Sequence, residues 1–159
     1  MGTDKIKSAF QLMTHSVDEL NVKNTLMALG PDDERILRDF SVENAEMHED
    51  EAEYFGEVTI FINIQCKKKG ARKKNISVKL KLTGLFTAEK TDEMTKNNFQ
   101  RMLITNGTSS LYSIARAIIS TTTSQCLAAG HVILPMVNVF QILGDVNTSF
   151  DIVDEDNEN

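Results

Sequence analysis

Two stretches of strict alternation organise the chain. In Glu57 to Cys66 the even positions are Val58, Ile60, Ile62, Ile64 and Cys66. In Ile76 to Phe86 they include Ile76, Val78, Leu80, Leu82 and Phe86, while Ser77, Lys79, Lys81 and Thr83 fill odd positions. A repeat of two is that of a strand with one buried face and one wet face. The stretch between them, Lys67-Lys68-Lys69-Gly70-Ala71-Arg72-Lys73-Lys74, has a glycine and six basic residues. The pair therefore predicts a long antiparallel hairpin with a basic loop. One face of such a sheet must be covered by helices, and the other is an exposed platform.

The flanking regions are less regular. Ala9 to Met13 reads as a short first strand, and Val17 to Asp33 as an irregular crossover with scattered apolar Val22, Leu26, Met27 and Leu29. So long an irregular connection suggests a crossing or binding role. Ile36, Phe40 and Val42 share one parity and predict a second strand over Arg35 to Asn44. The acidic stretch Glu43 to Glu53 reads as a solvated turn. After Phe86 the period becomes helical. Thr91 is a candidate N-cap for a stripe of Met94, Phe99, Met102 and Leu103 that stops near Asn106-Gly107. A second helix opens at Ser109 or Ser110, carries Leu111, Ile114, Ala115, Ile118 and Thr122 on one stripe, and ends at Ala128-Ala129-Gly130. His131 to Phe140 reads as an extended apolar segment interrupted by Pro135. Ile142 and Leu143 would begin a short last helix, curtailed by Gly144 and Asn147. Four strands followed by helices is an α+β pattern: a four-stranded antiparallel sheet with helices packed on one face. Residues 1–150 form one domain on this reading, and the acidic residues 151–159 a disordered tail.

Composition narrows the classes. The chain has 159 residues, 41% hydrophobic and 25% charged, with a formal net charge of −6. That charge argues against nucleic-acid binding, which needs a net basic face. No apolar run approaches the roughly 20 residues that span a bilayer, and the first residues lack a secretory h-region. The reading is a cytoplasmic protein whose two cysteines, Cys66 and Cys126, stay reduced. Phosphate loop, dinucleotide fingerprint and nucleophile elbow are all missing. His15, His48 and His131 are far apart. His48 lies among Glu46, Glu49, Asp50 and Glu51 but has no second His or Cys at ligand spacing, so no metal site is expected. Cys126 reads as a small buried residue at a helix end rather than a nucleophile. Neither an enzyme nor a cofactor is indicated.

Several short segments then point to one family. Phe10-Gln11-Leu12 looks like the opening strand of the SecB family of protein-export chaperones, and the hairpin leading to Gly84-Leu85-Phe86 is similar to its third and fourth strands. Leu111-Tyr112-Ser113-Ile114-Ala115-Arg116 resembles the Leu-Phe-Pro-Tyr-Ala-Arg core of its long helix. Leu134-Pro135-Met136-Val137-Asn138-Val139-Phe140 resembles its Leu-x-Pro-x-Asn-Phe segment, with one extra residue. The resemblance spans nearly the whole chain. It implies a homotetramer built as a dimer of dimers, and ATP-independent holding of unfolded preproteins for delivery to the SecA motor.

Carried onto this chain, the resemblance places non-native clients against Leu26, Met27, Leu29, Ile36, Phe40 and Val42, edged by Val139, Phe140, Ile142 and Leu143. Oligomer contacts would fall on Leu111, Ile114, Ala115, Ile118 and Thr122. The seven methionines suit adaptable binding. Family members show SecA an acidic sheet surface, whereas this chain has Lys23 and the basic patch Lys67, Lys68, Lys69, Arg72, Lys73 and Lys74 close to it. That patch counts against SecA and suggests a different acidic partner. Two alternatives stand beside general export: a SecB-like chaperone dedicated to one client, such as the antitoxin of a toxin-antitoxin system, and a non-chaperone adaptor module on the same scaffold.

Overall fold

A computed structural model describes residues 8–146. Its sheet has four antiparallel strands: β1 (Gln11–Asn24), β2 (Glu34–Glu49), β3 (Glu53–Lys68) and β4 (Ala71–Glu89), in the order β1-β4-β3-β2. The helices α1 (Lys96–Met102), α2 (Thr108–Cys126) and α3 (Val139–Val146) follow. The α+β architecture expected from the alternation is the one observed.

The central hairpin follows its pattern residue by residue. Ile60 pairs with Leu82, Ile62 with Leu80 and Ile64 with Val78. All six are at most 1% exposed. The tip is tighter than the sequence suggests. Lys68 pairs with Ala71, leaving Lys69-Gly70 as the turn, with Gly70 at a φ of 78° that a side chain would disfavour. The remaining basic residues lie on strand ends rather than in a loop.

The edge strands depart further from expectation. β1 starts at Gln11 and runs 14 residues, so the irregular crossover shrinks to residues 25–33. Two register shifts, at Leu12/Thr14 and Val17/Glu19, break the alternation that would have revealed it. β2 runs to Glu49, and the acidic turn is only Asp50-Glu51-Ala52. There the Asp50 carboxylate accepts from the Ala52 and Glu53 N–H groups at 2.8 and 2.7 Å. Two shifts in β2, at Leu37/Asp39 and Val42/Asn44, also rearrange the faces. Leu37, Phe40 and Val42 stand opposite the buried Ile64, Ile62 and Ile60, so they face the helices. Ile36 stands opposite Gln65 and belongs to the platform.

The helical layer is nearly continuous. Thr91 closes a turn by accepting from Met94 N–H, and the cap of α1 is Thr95, which accepts from Asn98 N–H. The stop expected at Asn106-Gly107 does not occur, because Leu103–Gly107 forms a π-helical turn that leads directly into α2. Leu103 and Leu111 press onto glycines of the sheet. A Cβ at Gly56 would stand 2.5 Å from Leu103 Cδ1, and one at Gly84 2.7 Å from Leu111 Cδ2. These close approaches seat the helices over β3 and β4. α2 ends at Cys126, which is exposed rather than buried. The segment expected to stay extended to Phe140 instead becomes α3 from Val139. The proposed tail lies outside the described residues.

Candidate functional site

α2 buries one stripe against the sheet: Thr108, Leu111, Tyr112, Ala115, Ile119 and Thr123. The chain then doubles back along one flank of the helix. Three contacts hold this return segment. Thr123 Oγ1 accepts from Val132 N–H at 2.8 Å, the Tyr112 hydroxyl donates to Pro135 O at 2.6 Å, and Arg116 Nη1 lies 3.1 Å from Met136 Sδ. Because Thr123 also donates to Ile119 O at 2.7 Å, its buried hydroxyl is satisfied on both sides. Alternation in the segment buries Val132 and Leu134 and turns Ile133 (48% exposed) outward; it breaks after Pro135, where Met136 (81%) is outward too. At one end of the segment Met27 accepts from Ala128 N–H through its carbonyl and is 80% exposed; at the other lies Phe140, 74% exposed.

Between the return segment and the start of β2 is a groove of about 370 Å³, lined by Leu37, Ile64, Ile133, Leu134, Pro135 and Met136 with the guanidinium side chains Arg35 and Arg116. Deeper along β2, Phe40 meets the Tyr112 ring at a centroid distance of 5.0 Å. Burial raises the pKa of the Tyr112 phenol. β2 is an edge strand of this sheet, so the groove lies beside unpaired main-chain groups.

The residues expected to bind clients do not all meet here. Phe40 and Val42 are half-buried on the helix side, near the groove. Leu26 and Leu29 are 6% and 7% exposed and belong to the chain's own core. Ile36 is on the platform. Val139 and Ile142 are half-buried and Leu143 is buried, in a helix that packs against the π turn at the far end of α2. Sequence reading missed Arg35, Leu37, Arg116, Ile133 and Met136. Alternation before Pro135 could have separated Ile133 from Val132 and Leu134, but it would have placed Met136 with the buried pair. Nothing in the sequence places Arg35 and Arg116 on one groove.

The expected oligomer residues also divide. Leu111 and Ala115 are fully buried against the sheet, whereas Ile114, Ile118 and Thr122 are half-buried on the flank facing away from the return segment. β1 is similarly unfinished: Leu12, Val17 and Leu20, opposite Phe86, Leu82 and Leu80, stay 37%, 45% and 41% exposed on the helix side.

At the hairpin tip the basic side chains meet local acids. Asp32 and Glu34 line a depression of about 470 Å³ with Lys67, Lys68, Lys69 and Gly70. Asp33 accepts from Gly30 N–H at 2.8 Å and Lys69 N–H at 3.1 Å, and Lys68 Nζ stands 3.8 Å away. The two backbone N–H groups hold the Asp33 carboxyl below its ordinary 3.8, with Lys68 and Arg35 adding to the effect. This carboxylate ties the crossover to the hairpin. Among the described residues no three His, Cys, Asp or Glu side chains gather as a metal site, and no helix is long and apolar enough to cross a membrane.

No family model matches the chain, and no curated protein does. Solved structures do. A SecB-like chaperone of Mycobacterium tuberculosis, in complex with a ChAD peptide from an antitoxin, superposes with a TM-score of 0.55 at 14% identity, over 81% of this chain and 91% of that one. A protein of unknown function from Streptococcus agalactiae matches with a TM-score of 0.44 at 10% identity, over 80% of this chain and 97% of that one. The fold is thus a distant SecB-like one.

Proposed function

We propose that this chain is a SecB-like chaperone that binds extended polypeptide segments, without ATP, in the groove between β2 and the return segment. The observation that carries the reading is the series of outward apolar side chains Met27, Ile133, Met136 and Phe140 on a rigid scaffold beside an open sheet edge. Flexible methionines accommodate varied side chains, and an open edge offers main-chain pairing. The earlier assignment to Leu26 and Leu29 moves to Ile133 and Met136, because substitutions at the buried pair would test the core instead.

A dedicated client is the second reading. It is favoured over a general export role by the fold neighbour solved in complex with an antitoxin peptide. Assembly into a dimer or tetramer would use the uncovered flank of α2 (Ile114, Ile118 and Thr122) and the unfinished face of β1. Delivery to a SecA-like motor is not part of this proposal. The basic tip remains a candidate for an acidic partner, with its charge partly offset by Asp33.

The test is suppression of aggregation of several unrelated unfolded proteins diluted from denaturant. The wild-type chain should suppress it, and the double variant Ile133→Ser, Met136→Ser should lose most of that effect while keeping its circular dichroism spectrum. If the wild-type chain fails with every generic substrate yet captures one protein from its native cell, the dedicated reading replaces the general one. An unchanged double variant would remove the groove from the mechanism.

A further inference from the structure

The groove contains more positive charge than an apolar client needs. Arg116 Nε is buried without a hydrogen-bond partner. Its Nη1 faces a thioether sulfur, which is a weak acceptor. Arg35, on the opposite wall, donates to two backbone carbonyls, Asp33 O at 3.0 Å and Gly30 O at 3.3 Å. Among the described residues no carboxylate oxygen lies within 4.0 Å of either guanidinium. The nearby Asp33 carboxylate is engaged by Gly30, Lys69 and Lys68 instead.

A guanidinium cannot relieve burial by losing its proton, so an unpaired buried N–H on it is costly. Its planar fork matches a carboxylate, which can accept two parallel hydrogen bonds from the outer Nη groups. The other lining residues, Leu37, Ile64, Ile133, Leu134, Pro135 and Met136, have apolar side chains.

We infer that the groove selects a client segment in which an Asp or Glu side chain is flanked by apolar residues, the carboxylate pairing with Arg116 and Arg35. This rests on the polypeptide-binding reading and makes it more specific. A lysine at the same position would meet two like charges in a site of low polarity and be rejected. Because the apolar walls contribute to every client alike, the acid supplies discrimination more than general affinity.

The test uses three fluorescein-labelled synthetic decapeptides of extended apolar sequence that differ only at one central residue, Asp, Asn or Lys. Binding is read by fluorescence anisotropy. The Asp peptide should bind about tenfold or more tighter than the Asn peptide, as one charge-assisted pair allows, and the Lys peptide weakest. Arg116→Gln should abolish the Asp-over-Asn preference, read as the ratio of the two affinities within the variant whatever happens to each alone; Arg116→Lys should keep part of the preference. Arg35→Gln supplies an independent variant if Arg116→Gln does not fold. Equal affinity for the Asp and Asn peptides overturns the acid preference and leaves the groove reading standing. A preference that survives both glutamine substitutions also overturns it. Failure of all three peptides to bind overturns the groove reading, and the preference with it.

Discussion

The two central strands and the two edge strands of the sheet are built differently. β3 and β4 pair without a shift from Glu53–Glu89 to Lys67–Asn75, their one irregularity falling at the hairpin tip between Lys67 and Lys68, and the inward residues of β3 from Val58 to Cys66 are at most 1% exposed. β1 and β2 each contain two register shifts, and much of their inward surface is only partly covered. The fold is held in the middle, where burial is complete. Surface that could be finished by another chain is at the margins, beside α2 on one side and the return segment on the other.

The sharpest challenge to that contrast is a pair of truncations. Ile62→Ala at the centre should destabilise by about 2–5 kcal/mol, the usual loss for a fully buried aliphatic side chain. Leu20→Ala on β1 should stay within about 0.5 kcal/mol, as at other exposed positions. Chemical denaturation measures both. A large loss at Leu20 that varies with protein concentration would mean that a second copy covers β1.

Asp33 probes how firmly the crossover is fastened to the central hairpin. Asp33→Asn removes the charge and weakens acceptance from Gly30 and Lys69, so residues 25–33 should be cleaved faster by protease while the sheet stays folded. The same contact predicts a pH dependence. Because the folded carboxyl titrates below its ordinary 3.8, its stabilisation is fully present above that value and disappears as pH falls through the folded value. Amide exchange at Gly30 and Lys69 should therefore accelerate only in strong acid relative to an Asp33→Asn control. Equal exchange in the two proteins across that range would show that the carboxylate does not fasten the crossover.

The smallest effect concerns the thiols. Cys66 is buried on β3, and desolvation pushes its thiol up to about 11, whereas Cys126 is exposed at the end of α2. A thiol reagent at neutral pH should label Cys126 in the folded protein and Cys66 only after unfolding, as read by mass spectrometry. Early labelling of Cys66 would mean that the hairpin opens far more readily than its packing implies.

The central hairpin was legible because each inward side chain is buried on one face and no bulge interrupts the repeat. α2 was legible as a helix but not in its facing: Ile114 and Ile118 are as apolar as Ile119, so apolarity alone does not say which of them meets the sheet. β1 was hidden because His15, Ser16, Asp18 and Glu19 give its edge a polar sequence and the shifts at Leu12/Thr14 and Val17/Glu19 erase the parity. The groove was least legible. It joins Arg35, Arg116 and Met136 across elements far apart in the chain, and no local pattern records that meeting.

The strand order also sets a timetable for synthesis. β1 emerges first, but among the described residues its sole neighbour in the sheet is β4, and β2 has only β3. Until Ala71–Glu89 has left the ribosome, β1 has no strand to pair with. The crossover waits longer still, since Met27 and Leu29 are bonded to Ala128 and Ala129 in the last third of the chain. Contacts so distant in sequence are slow to form. For much of its own birth, this chain is therefore an extended polypeptide with open edges and exposed apolar side chains, of the same physical kind as the segments we propose its groove holds.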